Sequence, residues 1–404
     1  MGYIHLTPLI APYYHASPDF YSARLLSNAN CNYYQTIIRS KRIIETVEIM
    51  EAKMERKYYL DMAEAGMKMP VAADVMLHQH DDVDGILQDG ARLGQVIIDT
   101  AEYFKTPLAI PHMDLELEKF ALLTLLDIPA AEIPQYHFAI PPTPAQFAML
   151  AERMQGALLP RLQAHIDSVG YVATNAPHLL PIGMSIGPFS LMTKMIADPI
   201  VPIALAGSGL TAKDEDEIAV VEGVLELGIQ FILHSIRLQI ANGAKAIFIA
   251  EPAANRVFLS PNQIDAGSDI FEHFVMKYML RVKKLLDEHD VDLIFHCCGE
   301  LENSMVTYFT QLDPAIMSLG SSRRLWEDAA LVPKTTVLYG NLPSKRFYSD
   351  ALITRMNIIQ QSRELITRMK AVGHPFILGT ECDVLSVPGC ETAIMAKLDA
   401  LMTA

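Results

Sequence analysis

The sequence predicts an α/β fold of the (β/α)8 kind, and three observations carry that expectation. Short apolar runs ending in Gly, Pro or polar residues recur through the second half of the chain. Segments of helical length lie between most of them, and two shorter runs in the first half bring the strand count to eight, the number that closes a barrel. Near-continuous apolar strands alternating with helices mark a parallel sheet covered on both faces.

In chain order, residues 1–69 read as an N-terminal helical extension, as in IIRSKRIIETVEIMEAKMERKYYLDMAEAG. The first two strands are expected in PVAADVML (70–77) and TPLAIPHM (106–113), and residues 114–178 read as a helical insertion. The remaining six are expected in LLPIGMSIGP (179–188), AKAIFIAEP (244–252), VDLIFHCCG (291–299), PAIMSLG (314–320), TTVLYGNLP (335–343) and PFILGTEC (375–382). The barrel domain thus spans 70–404. Before the third run of these six, Ser260, Pro261 and Gln263 have the spacing of a capping box with proline in the first turn. Phe271, Phe274, Val275, Tyr278, Met279, Val282, Leu285 and Leu286 then form a helical stripe.

Lys+Arg 32 against Asp+Glu 47 leaves a net charge of −15, which repels phosphate backbones and anionic bilayers, so neither nucleic acid nor a membrane is an expected partner. The longest apolar stretch, 219–241, contains Glu222, Glu226, His234 and Arg237 and reads as a buried amphipathic helix rather than a membrane span. The apolar N-terminus lacks the basic lead and cleavage site of a secretory signal. Five cysteines, an odd number, fit free or metal-bound thiols in a reducing cytoplasm better than disulfides.

Candidate chemistry centres on VDLIFHCCGE (291–300). Residues two apart on a strand share a face, so His296 and Cys298 point together and Cys297 points to the helix layer as packing. Parallel strands all end on one side, so Cys382 can reach the same mouth from a later strand. One imidazole and two thiolates fit a catalytic zinc site, because structural zinc usually takes four protein ligands. Buried core thiols are the other reading of the same residues. Cys390 is expected to be a loop thiol, and His78, His80, Asp81, Asp82 and Asp84 a solvated charged loop. Asp74 and Glu251 sit in apolar runs where an unpaired carboxylate is costly, and each is a candidate acid, base or anchor, with a capped helix or ion pair as the alternative. No phosphate-cradling glycine loop or serine-hydrolase elbow is present.

Four stretches, IGMSIGPFSLMTKMI (182–196), IFIAEPAANRVFLSPNQI (247–264), LIFHCCGE (293–300) and ILGTECDV (377–384), resemble the uroporphyrinogen decarboxylase superfamily. Within it they resemble the zinc-dependent cobalamin (corrinoid) methyltransferases, whose H-x-C and late Cys patterns are the specific part. The resemblance covers roughly residues 180–395 and implies a (β/α)8 TIM barrel with zinc on His296, Cys298 and Cys382. It implies transfer of a methyl group between a small methylated donor or thiol acceptor and a corrinoid, the latter carried by a separate protein. Glu251 and Asp74 are then the second tier of pocket residues, followed by Ser185, Tyr339 and Asn341 as substrate contacts; a homodimer is among the assemblies this allows. The alternatives are a decarboxylase, whose N-terminal arginine-rich grip on porphyrin carboxylates has no counterpart here, and a non-catalytic corrinoid- or ligand-binding barrel. The chain departs from the family in its long N-terminal part, in 114–178 and in Glu381, where glycine is often found.

Overall fold

Eight parallel strands organise the computed structural model, which describes residues 56–404. They are β1 (Lys68–Met69), β2 (Leu108–Ala109), β3 (Leu180–Ile186), β4 (Ala246–Ala250), β5 (Asp292–Cys297), β6 (Ile316–Leu319), β7 (Val337–Leu342) and β8 (Phe376–Thr380). Their order, β1-β8-β7-β6-β5-β4-β3-β2, is that of a (β/α)8 barrel, and each neighbouring pair in it is parallel. Residues 1–55 of the expected extension lie outside the described residues, while 56–69 carry the helix Arg56–Glu64 and β1 itself. Tyr59 of that helix packs inside the barrel and donates from its hydroxyl to Asp292 Oδ2 at 3.0 Å.

Seven of the eight strands fall inside the expected runs. The exception is the first: β1 lies at 68–69, and VAADVML contains the helix Ala73–Leu77 instead of a strand. Pro70 has no N–H for a ladder and ends the strand, and a short apolar run is the pattern in which buried helix and buried strand look alike. The insertion between β2 and β3 is helical, with helices at Leu117–Leu125, Pro144–Arg153 and Pro160–Asn175.

Side chains alternate between two clusters. Ala246, Phe248 and Ala250 of β4 join Met69, Ile182, Met184, Ile294, Val337 and Ile377 inside the barrel, whereas Ile247 and Ile249 face the helices. Where the short β2 has ended, the Met184 peptide is satisfied from outside: Gln239 Oε1 accepts from its N–H at 2.8 Å and Gln239 Nε2 donates to its carbonyl at 3.0 Å. Gln239 belongs to the Asp216–Ala241 helix, which is long and apolar enough to cross a membrane, yet buries Val221, Leu225, Ile229, Phe231, Ile232 and Ile236 against the barrel. At roughly 1.5–3 kcal/mol per buried side chain, that packing accounts for its apolarity. The box expected at Ser260 does not close: Pro261 opens a short helix, but Gln263 Nε2 donates to Ala204 O at 2.8 Å, so its side chain is spent on a neighbouring helix.

Candidate metal centre

His296 is the second-last residue of β5, on the inner face it shares with Ile294. It is 1% exposed, its ring centroid lies 5.6 Å from that of Phe248, and its Nδ1 lies 2.8 Å from Ser318 Oγ. The β5–β6 register pairs His296 with Ser318, which places the hydroxyl beside the ring. Its Nε2, by contrast, is buried with no hydrogen-bond partner. Two thiols stand close by: ligand atoms of His296, Cys298 and Cys382 all lie within 4.8 Å of one another, and no other such cluster of metal-ligating groups occurs among the described residues. Gly320 makes room for this, since a Cβ there would stand 2.6 Å from the Cys298 carbonyl. Ser344 Oγ donates to the Cys382 carbonyl at 3.2 Å and ties the loop after β7 to the same corner.

The two thiols hold one proton unequally. A hydrogen bond from Cys382, and next the nearby His296 and Lys345, hold Cys298 well below the usual thiol range, at about 3, against the opposing effect of burial. Cys382 is pushed up by donating that bond and by burial. Burial works against the charge of Lys345, but Cys298, Glu381 and Cys382 around it keep its ammonium protonated above the ordinary lysine range. The corner therefore already carries one thiolate and one imidazole nitrogen without a hydrogen-bond partner, a donor set suited to zinc. Nδ1 bonded to Ser318 leaves Nε2 as the ligating atom, the arrangement in which an outer partner fixes ring orientation. Ser318→Ala is expected to weaken zinc binding about 10–100-fold, read by competition with a chromophoric chelator, with the thermal midpoint little changed.

Other expected residues are placed differently. Glu251 is fully buried, but it continues the outer face of β4, so its side chain enters the helix layer and not the barrel mouth. Its Oε2 accepts from Phe189 N at 3.1 Å and its Oε1 from Ser190 N at 2.6 Å, capping the Pro188–Met195 helix; Gly187 is required there because a Cβ would collide with the carboxylate. This corrects its expected role as a pocket acid. Ser185 is 1% exposed and its neighbour in the structure is the buried Glu118, so it does not reach substrate as expected. Tyr339 lies in the barrel interior and donates to Met69 O at 2.6 Å, joining β7 to β1, while Asn341 Nδ2 donates to Gly320 O at 2.8 Å and Arg323 O at 3.0 Å. Both side chains hold backbone in place through these bonds. Asp74 sits in the first turn of Ala73–Leu77, where its Oδ2 accepts from Ser386 N at 2.7 Å. Cys297 is buried in the helix-layer cluster, as expected, and Cys390 lies at the N-terminus of the last helix. His78, His80, Asp81, Asp82 and Asp84 are exposed, with Asp82 paired to Arg92 at 2.8 Å.

Ser318 and Lys345 escaped the sequence reading, as did two further buried groups at the mouth, His112 and Asp383. The only signal was position: each stands at or just past the end of an apolar run, and Asp383 follows Cys382 directly.

Comparison with known proteins adds a lineage. The family model for uroporphyrinogen decarboxylase (URO-D) matches residues 52–395. Methylcobamide:CoM methyltransferase MtbA of Methanosarcina mazei is 27% identical over 124 residues, 31% of this chain and 32% of that protein. Its counterpart in Methanosarcina acetivorans is 26% identical over the same length, again 32% of that protein. The match thus spans about a third of the length of these curated relatives. The solved structure of a methyltransferase from Methanosarcina mazei superposes with a TM-score of 0.55 over 83% of this chain and 91% of its own, at 15% identity, which is a likeness of fold.

Proposed function

Because the chain belongs to the uroporphyrinogen decarboxylase family, we propose that it is a zinc-dependent methyltransferase moving a methyl group between a corrinoid, carried by a separate protein, and a small methyl donor or thiol acceptor. The observation that carries this reading is the buried, unpartnered Nε2 of His296 beside two thiol sulfurs. The names of the curated relatives support the same class, whereas decarboxylation of a porphyrin gives the cluster nothing to do.

His296, Cys298 and Cys382 would hold the ion, and the fit rests on their chemistry: two sulfurs, one imidazole and no fourth ligating side chain beside them among the described residues. When bound, zinc supplies Lewis acidity that stabilises a thiolate or a departing heteroatom. The chain's own groups do the rest. Ser318 fixes the His296 ring, and Phe248 packs beside it and keeps water from that side. Metal binding requires loss of the Cys382 proton, so Cys382 is the group that releases a proton as the site loads. Lys345 offers positive charge beside two thiolates, which lowers the cost of burying both.

The test is elemental analysis of the purified chain under reducing, chelator-free conditions, followed by methyl transfer from methylcobalamin to a thiol. About one zinc per chain with turnover supports the reading; a metal-free protein that never binds zinc would sink it.

A further inference from the structure

Past the ends of β1, β2 and β8 lies a polar group that the zinc chemistry does not use. Asp74, just after β1, His112, just after β2, and Asp383, just after β8, come together because the segment after β8 bonds to both others: Val384 N donates to Val71 O at 2.9 Å, and Asp383 takes an N–H from the segment after β2. Asp383 Oδ2 accepts from Met113 N at 2.8 Å, which seats the carboxylate against the segment that carries His112, and Asp74 acts electrostatically on both. His112 and Asp383 are 7% and 3% exposed, and each keeps one buried polar atom, Nδ1 and Oδ1, without a partner.

What these atoms lack is a donor. Burial is the main reason the His112 ring stays neutral, held down at about 4, so Nδ1 can present a lone pair. Asp114 nearby is already paired with Arg161 at 2.6 Å, but no lysine or arginine among the described residues pairs with Asp74 or Asp383. On its exposed side Asp74 has His78, with Nδ1 at 3.5 Å. A buried carboxyl oxygen and a buried imidazole nitrogen without partners are costly unless a ligand completes them. They do not form a metal cluster, since the group within ligating distance is His296, Cys298 and Cys382.

We propose that Asp74, His112 and Asp383 form a second subsite in the barrel mouth that takes an ammonium group, so that one of the small partners in methyl transfer is a protonated amine. Its N–H groups reach the carboxyl oxygens and the His112 lone pair, and a cation suits an acidic pair that has no lysine or arginine partner among the described residues. Only the identification of this amine as a methyl-transfer partner rests on the methyltransferase reading; the subsite itself does not.

The experiment is calorimetric titration of the full chain with methylammonium, and with tetramethylammonium as a cation that has no N–H. Methylammonium should bind the parent and bind Asp74→Asn and His112→Phe at least about tenfold more weakly, with tetramethylammonium weaker than methylammonium in the parent. Asparagine can still accept from Ser386 N, so Asp74→Asn keeps that loop contact, and His112→Phe serves should the first variant not fold. Cys298→Ser should lose zinc and keep methylammonium binding. Absence of methylammonium binding in the parent, equal binding in folded Asp74→Asn, or equal binding of tetramethylammonium overturns the subsite. Methylammonium binding that depends on Asp74 in a protein that transfers no methyl group upholds the subsite and separates it from a failed methyltransferase reading.

Discussion

Cys298→Ala and Cys382→Ala are each expected to take the purified protein from about one zinc per chain to none and to abolish methyl transfer, while far-ultraviolet circular dichroism stays at the parent's level. The reasoning starts from the number of ligands. Three protein groups converge on the site, so removing one leaves two, and the loss of affinity exceeds the roughly 10–100-fold expected for an outer partner such as Ser318. The fold should tolerate the change because both sulfurs are on loops just past β5 and β8, half-buried, and neither belongs to the packed clusters. The two variants also differ in a way that checks the proton assignment. Cys298 holds the thiolate and Cys382 the proton. Cys298→Ala leaves a protonated thiol, whereas in Cys382→Ala the remaining thiolate loses its hydrogen-bond donor and its pKa should rise, which the pH dependence of alkylation in metal-free protein would record. Full methyl transfer by either variant ends the zinc mechanism.

Glu251→Ala is expected to lower stability by about 3 kcal/mol or more, with zinc affinity affected only through the fold. Truncation leaves the amides of Phe189 and Ser190 buried without acceptors, at roughly 1–3 kcal/mol each, and adds a cavity. The pH dependence has a definite sign. Burial raises the Glu251 carboxyl from 4.5 to about 7, so the folded chain keeps a proton that the unfolded chain releases. Its contribution is then most favourable below about 4.5, declines as pH rises through about 7, and amounts to on the order of 3 kcal/mol across that window. Glu118, also raised to about 7 by burial, contributes with the same sign. Glu251→Gln isolates the Glu251 share: it retains an acceptor, should cost far less than alanine, and should flatten the decline measured by urea unfolding between about pH 5 and pH 8. An unchanged slope in Glu251→Gln would mean that the carboxyl titrates normally.

Much of the site was legible because the relevant patterns are local. His296 and Cys298 are two residues apart at the end of an apolar run, and period-2 alternation puts them on one face without knowledge of any neighbour. Cys382 could be added because every parallel strand ends on the same side. Glu251 shows where this logic fails. A carboxylate at a strand end was expected at the mouth, but the inward or outward face of β4 depends on its pairing with β3 and β5, and the pairing turned it toward the Pro188–Met195 helix. The sequence also contains nothing that distinguishes Tyr339 as a link to Met69 from Tyr339 as a substrate contact, since the two residues are far apart in the chain.

By itself, then, the sequence determined the β/α rhythm, the strand runs from β2 to β8, and the pairing of imidazole with thiol on one strand face, all properties of periodicity within a few residues. The tertiary structure decided the rest: the helix at Ala73–Leu77, the register that sets Ser318 behind His296, the single proton shared by Cys298 and Cys382, and the meeting of Asp74, His112 and Asp383. These are consequences of strand pairing and of the packing of loops over the strand ends, which fix the face and neighbours of each end and leave no trace in the spacing of residues along any one strand.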